Sequence, residues 1–181
     1  GGNWTVDAQK RYGVTISGWS GLGEKSVASA APRADLVYQG TVVVTSGNDA
    51  GFIFRVTNPS TGADSYNGYY VGISLGQRSV VLGRANGAWT QLAATPNWPG
   101  IAAGATIPLR VIASGTHLEV YAGDMTTPAI VFDDPSPLAP VSGAIGVRGY
   151  ASSFRVDDLL MAALPPVTEV AEVRLKTLGG L

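Results

Sequence analysis

Turn-forming residues punctuate this sequence so often that no stretch remains for a long helix. Ser46-Gly47-Asn48-Asp49, Asn58-Pro59, Asn86-Gly87 and Ser114-Gly115 are among the clearest breaks. Between the breaks lie short runs rich in Val, Ile, Tyr and Phe, bounded by Gly, Pro, Asn or Ser. Trp4 to Val6, Tyr12 to Ile16, Ser26 to Ala30, Leu36 to Thr45, Gly51 to Asn58, Tyr69 to Ile73 and Ser79 to Arg84 are predicted strands. So are Trp89 to Ala93, Thr106 to Ala113, His117 to Ala122, Ala129 to Phe132, Gly143 to Tyr150 and Phe154 to Met161. Many short strands with frequent turns predict an all-β chain, a β-sandwich jelly roll of two antiparallel sheets spanning residues 1–164. Asn86-Gly87 joins two strand runs across two residues, which predicts a tight hairpin with Gly87 at positive φ. A second hairpin is expected between Ile107 to Ile112 and His117 to Tyr121.

The composition removes several classes of function. Apolar residues form 45% of the 181 and charged ones 14%, so the chain buries a real core. Net charge is -1, and the 12 basic residues are scattered without a Lys/Arg run, which argues against nucleic acid or an anionic membrane surface as partner. No apolar run is long enough for a membrane-spanning helix, so no membrane insertion is expected. With no cysteine there is no disulfide, thiolate or cysteine zinc site. His117 is the single histidine, and neither a GxSxG elbow nor an HExxH helix occurs. The 13 acids leave a two-carboxylate glycosidase site open, but none sits in a motif for one. Asp157-Asp158 point to opposite faces of their strand and make a poor dyad. No cofactor is implied. A structural calcium held by Asp157 or Asp158 with a carbonyl of the N-terminal strand stays open, without any EF-hand spacing.

The residues point more strongly to binding. Period-2 alternation in Phe52 to Thr57 puts Phe52, Phe54 and Val56 on one face and Arg55 on the other with Ile53 and Thr57. An arginine inside an apolar strand needs a carboxylate partner or a ligand, and its planar fork suits two adjacent hydroxyls. Arg148 has the same setting beside Tyr150, with Gly146 and Gly149 leaving room; pairing with Asp157 or Asp158 is its structural alternative. Asp49 is either a turn former or an acceptor for a sugar hydroxyl, and Asp64 reads as a turn residue. Tyr66, Tyr69 and Tyr70 cluster; one of the adjacent pair Tyr69-Tyr70 points inward and the other offers a stacking ring. Glu24, in a glycine-rich loop, is either a solvated acid or a further ligand contact. Trp19, Trp89 and Trp98 are candidate stacking rings or core.

These blocks carry a resemblance. Asp49 to Asn58 (DAGFIFRVTN), Asp64 to Ile73 (DSYNGYYVGI), Val81 to Arg84, Leu118 to Tyr121 and Gly143 to Arg148 resemble carbohydrate-binding module family 66 of the concanavalin A-like lectin/glucanase superfamily, over residues 3–163. The resemblance implies a non-catalytic bacterial module, secreted or at the cell surface and covalently linked to a glycoside hydrolase. Such a module holds the terminal sugar of a polysaccharide or oligosaccharide chain, either the fructose of levan or another fructan or a different furanose. It implies Asp49, Arg55 and Arg148 as the polar grip, Tyr69 or Tyr70 as the flanking ring, and Glu24 in addition. A structural spacer of a large secreted glycosidase, or a glycoside hydrolase itself, are the alternative readings.

The chain reads as a piece of something longer, with Gly1-Gly2 as a cloning remnant. Pro165-Pro166 reads as a stiff linker opening a segment 165–181. Within it, Glu169 to Leu178 alternates like one lone strand, expected to begin a truncated immunoglobulin-like domain or to pair with the edge of this one.

Overall fold

The computed structural model describes residues 3–15, 23–62 and 64–164. Trp19, the Glu169 to Leu178 segment and the Pro165-Pro166 linker lie outside the described residues. The elements are β1 (Trp4–Val6), β2 (Tyr12–Val14), β3 (Gly23–Val27), β4 (Leu36–Thr57), β5 (Asn67–Ser74) and β6 (Ser79–Asn86). They continue with β7 (Trp89–Thr95), β8 (Thr106–Ser114), β9 (His117–Ala122), β10 (Ile130–Asp133) and β11 (Ala144–Ala163).

The expected sandwich is present, but its two layers are not separate sheets. β4 and β11 pair antiparallel from Val56↔Ala144 to Leu36↔Ala163, and both run through the two layers. In the first layer the order is β3, the N-terminal half of β11, the C-terminal half of β4, then β5, β6 and β7. In the second it is β1, β2, the C-terminal half of β11, the N-terminal half of β4, then β8, β9 and β10. Two pairs of predicted strands thus merge into two long ones. The Ser46-Gly47-Asn48-Asp49 signal makes a bend rather than a chain reversal. Gly47 sits there at φ 96, opposite Ser152 and next to Ala151, itself at φ 47. Hydrogen bonding continues through the bend, where the Ser152 hydroxyl accepts from the Asn48 N–H at 2.8 Å. Both expected hairpins form, with Gly87 at φ 72 in the first and Ser114 opposite His117 in the second.

The facing surfaces of the layers make the core. Phe52, Phe54, Tyr69, Val71 and Leu82 meet Tyr38, Leu109, Val111, Val120 and Phe154, all fully or almost fully buried. Each such side chain contributes about 1.5–3 kcal/mol by leaving water. A smaller apolar cluster of Ile53, Val56, Tyr66, Tyr70 and Ala85 lies on the outer face of the first layer, with Val27, Trp89 and Ala144 against it. An outer sheet face carrying its own buried aromatic cluster is equipped to do more than meet solvent.

The bend predicts unequal costs for two glycines that share positive φ. A methyl group on Gly87 meets nothing within 4 Å, whereas one on Gly47 falls 1.9 Å from the Ala151 carbonyl oxygen. Gly87→Ala is expected to cost about 1 kcal/mol, from backbone conformation alone. Gly47→Ala should cost at least twice that, because the layers must separate where the long strands cross between them. Urea unfolding midpoints of the two variants check the ordering.

Candidate functional site

Strand register assembles the outer face of the first layer. Arg148 on β11 lies opposite Gly51 on β4, which lies opposite Gly72 on β5, which lies opposite Val81 on β6. The next two residues in that row on the β4 side have no side chain, so the Arg148 guanidinium can extend across the sheet in that direction. It reaches the Tyr70 ring at 4.7 Å, the Trp89 ring at 5.4 Å and the Tyr150 ring at 5.8 Å. Tyr150 and Asp49 face each other in the adjacent row.

The aromatic rings lie along the sheet for a similar reason. A Cβ on Gly72 would sit 2.0 Å from the Tyr70 hydroxyl oxygen, and one on Gly83 would sit 2.1 Å from the Trp89 ring. Each ring therefore occupies the space a side chain would fill. The two meet edge to face, centroids 5.6 Å apart at 71°, an arrangement that favours the ring quadrupoles.

Arg148 is the hub of the polar groups. Its Nη1 donates to Asp49 Oδ1 at 3.1 Å and its Nη2 to Asp64 Oδ1 at 2.7 Å. The Tyr70 hydroxyl donates to the same Asp49 Oδ1 at 2.7 Å. Arg148 is 3% exposed, while the Asp49 and Asp64 side chains keep 19% and 24%. The second carboxylate oxygen of each acid accepts no hydrogen bond among the described residues. Burial pushes the Asp49 carboxyl above its usual range, against the pull of Arg148 and the Tyr70 hydroxyl. Burial also works against the charge on Arg148, but Tyr70, Asp49, Tyr66 and Asp64 outweigh it and raise its pKa. Asp64 belongs to the loop between β4 and β5, which Lys25 of β3 fastens by donating to the carbonyls of Ser60 and Gly62, each at 2.5 Å.

A cavity of about 320 Å³ opens above these residues, lined also by Asn48, Gln77 and Gln91. That volume is at the lower end of small-ligand pockets, roughly 300–1,000 Å³. It combines an aromatic floor with fixed carboxylate acceptors. Such a surface suits a ligand with an apolar ring face and hydroxyl donors at its edge.

The candidate residues divide. Asp49, Tyr70 and Arg148 come together here, with Trp89. Arg55 does not join them, because a bulge turns β4 at that residue, which takes φ 52. The expected alternation fails there, and Arg55 turns toward Tyr69 of the core face, 6.0 Å from its ring. It is 1% exposed and donates to the carbonyls of Ala34, Gly115 and Pro140 at 2.7 to 3.0 Å, with Asp35 at 3.4 Å. Its carboxylate-partner alternative thus describes the geometry, with carbonyls supplying most of the partners. Tyr69 is the inward member of its pair and donates to buried Asp134 at 2.9 Å, an acid that also takes Arg84 at 2.6 Å. Glu24 lies opposite Gly149, whose Cβ position points at Phe154 of the core, so Glu24 and Lys25 take opposite faces of β3 and Glu24 does not line the cavity. Trp98 packs partly buried against the core. Arg148 pairs with Asp49 and Asp64 rather than with Asp157 or Asp158. Asp157 accepts the Asp158 N–H, and among the described residues no three acids or histidines cluster to hold an ion.

No protein-family model matches the chain, and no curated protein matches it in sequence. Solved structures match it in fold. The carbohydrate-binding module CBM66 from Bacillus subtilis is similar at a TM-score of 0.75 and 17% identity, over 90% of this chain and 92% of that one. A Bacillus subtilis protein with a galectin-like fold has a TM-score of 0.70 and 11% identity, over 90% and 87%. The Caenorhabditis elegans galectin LEC-6 has a TM-score of 0.52 and 12% identity, over 82% and 99%. At these identities the likeness is one of fold, and it bears out the sandwich expected from the sequence.

The hub predicts a titration and a stability effect. Tyr70→Phe removes a hydrogen bond to the ionised Asp49, so the Asp49 pKa should rise further; carbon-13 carboxyl shifts followed against pH read this. Because the folded pKa is already raised, the Asp49 contribution to stability is present below its unfolded value and lost as pH rises through the folded one. Arg148→Ala strands two partly buried carboxylates and should cost about 3 kcal/mol at neutral pH. Part of that loss should return on acidification, as Asp49 takes up a proton.

Proposed function

We propose that this chain is a non-catalytic carbohydrate-binding domain that holds the end of a neutral polysaccharide chain and keeps an attached glycoside hydrolase at its polymer. The observation that carries the reading is the Arg148 hub: one buried guanidinium fixes Asp49 and Asp64 beside the flat rings of Tyr70 and Trp89. Because Arg148 is spent on its two acids, the ligand meets carboxylate acceptors rather than an open guanidinium fork. Hydroxyl donors satisfy such acceptors, and a uronate or sulfate is repelled by them. Asp64, from the loop between β4 and β5, lines the cavity, and the occupant we assign to it is a chain end rather than the middle of a chain. Similarity of fold to a bacterial carbohydrate-binding module and to galectins supports the class of ligand. A terminal furanose, with the fructose of levan first, is the sugar we assign, and a secreted or cell-surface location follows from such a substrate.

Binding exchanges water for protein at every hydroxyl, so affinity for one chain end should be modest, roughly micromolar to millimolar. The domain would then act by raising the local concentration of its partner enzyme.

Calorimetric titration against levan, inulin, arabinan and galactan tests the reading, with pectate as the acidic comparison. Binding of a neutral polymer competed by its terminal monosaccharide is expected, with no heat from pectate and no release of reducing ends. Asp49→Asn and Trp89→Ala should each weaken binding at least tenfold. Arg55→Met should lower stability by about 3 kcal/mol, by leaving buried carbonyls unpaired, and keep affinity within twofold. Silence on every neutral polymer, or unchanged affinity in Asp49→Asn, would sink the assignment.

A further inference from the structure

The cavity has two chemically different sides. The acids stand over β4 and β11, where Arg148 fixes them. The other side is lined by carboxamides: Gln91 on the edge strand β7 and Gln77 in the turn between β5 and β6, with the Asn48 side chain reaching from β4 over that turn. Register puts Gln91 directly across Gly83 from Tyr70, so the Trp89 ring lying on Gly83 is the floor between the acids and Gln91.

The amides are placed from below. The Ser74 hydroxyl accepts from the Gln77 N–H at 3.3 Å, and the Ser79 hydroxyl donates to Gln77 Oε1 at 3.3 Å. Ser74 and Ser79 are 4% and 2% exposed. The Ser79 bond engages the Gln77 oxygen, and its NH₂ makes no hydrogen bond among the described residues. The Asn48 and Gln91 side-chain amides make no hydrogen bond among the described residues. Asn48 Oδ1 would stand 3.4 Å from a Cβ on Gly76, so it lies over the same turn. Carboxamides offer donors and acceptors together and carry no charge. They suit the ring and linkage oxygens of a sugar, which can only accept, as well as its hydroxyls.

We infer that the amide side is a second sugar subsite, taking the unit next to the chain end, while the acid side takes the terminal unit. This rests on the carbohydrate reading above and adds to it a polarity. The terminal ring faces Asp49, Asp64 and Arg148, and the chain leaves over Trp89 toward Gln91 and Gln77. Pockets of this volume class enclose a drug-sized ligand, and one furanose ring is smaller than that. A single ring therefore leaves the amide side open.

The test compares fructose with β-2,6-linked difructose by calorimetry and by nitrogen-15 correlation spectra, in the native protein and in the Gln77→Ala/Gln91→Ala double variant. Both glutamines are exposed, so the variant is expected to fold. The disaccharide should bind the native protein about tenfold more tightly than the monosaccharide, equivalent to about 1.4 kcal/mol. The Trp89 indole signal should move with either sugar, and the Gln77 and Gln91 NH₂ signals with the disaccharide alone. In the double variant, monosaccharide affinity should stay within twofold and the disaccharide advantage should fall below threefold. Equal affinities in the native protein, or an advantage that survives the double substitution, overturn the second subsite and leave the terminal site standing. Binding of neither sugar overturns the fructose assignment on which the inference rests.

Discussion

The pairing of β4 with β11 is the constraint on which everything else hangs. Their ladder runs from Val56↔Ala144 to Leu36↔Ala163 and crosses from one layer to the other at Gly47 and Ala151. Every other strand of the first layer is added outward from this pair, and so is every strand of the second. The register that aligns Phe52 and Val147 toward the core also sends Arg148 across Gly51 and Gly72 on the opposite face. One pairing thus determines both the interior and the candidate site. A one-residue slip would exchange the two faces.

The site itself is an exercise in compensation. A buried guanidinium is expensive unless its donors are met, and here two carboxylates and three aromatic rings meet them. Arg55 solves the same problem on the core side with main-chain carbonyls. The outcomes differ in what faces water. Around Arg55 the partners are spent on joining loops 34–35, 115 and 140, so the residue fastens the sandwich. Around Arg148 the acids keep an outward edge.

Much of this was legible in the sequence, and the failures have physical causes. The strand runs, the Asn86-Gly87 hairpin and the shared face of Arg148 and Tyr150 followed from periodicity and turn chemistry. Alternation also divided Phe52, Ile53 and Phe54 correctly between the faces. It failed one residue later, because a bulge at positive φ has no signature when the residue is arginine. Ser46 to Asp49 carried a strong reversal signal, yet the pull of two packed layers turned it into a bend within one strand. Asp64 carries only a turn signal, since nothing local announces that it reaches Arg148. Asn48 carries only a turn signal, and Gln77 and Gln91 carry no local signal at all; only the fold brings them around one cavity.

The course of β11 has a mechanical meaning. Its first half carries Arg148 and its last residue, Ala163, ends the last strand. A pull between that end and a ligand held over Arg148 would run along the strand's own axis. The β4–β11 hydrogen bonds lie across that direction, so whatever part of the load passes into β4 through Asp49 would be shared among them in shear rather than opening them one at a time. A domain built this way resists being peeled apart by tension along that strand.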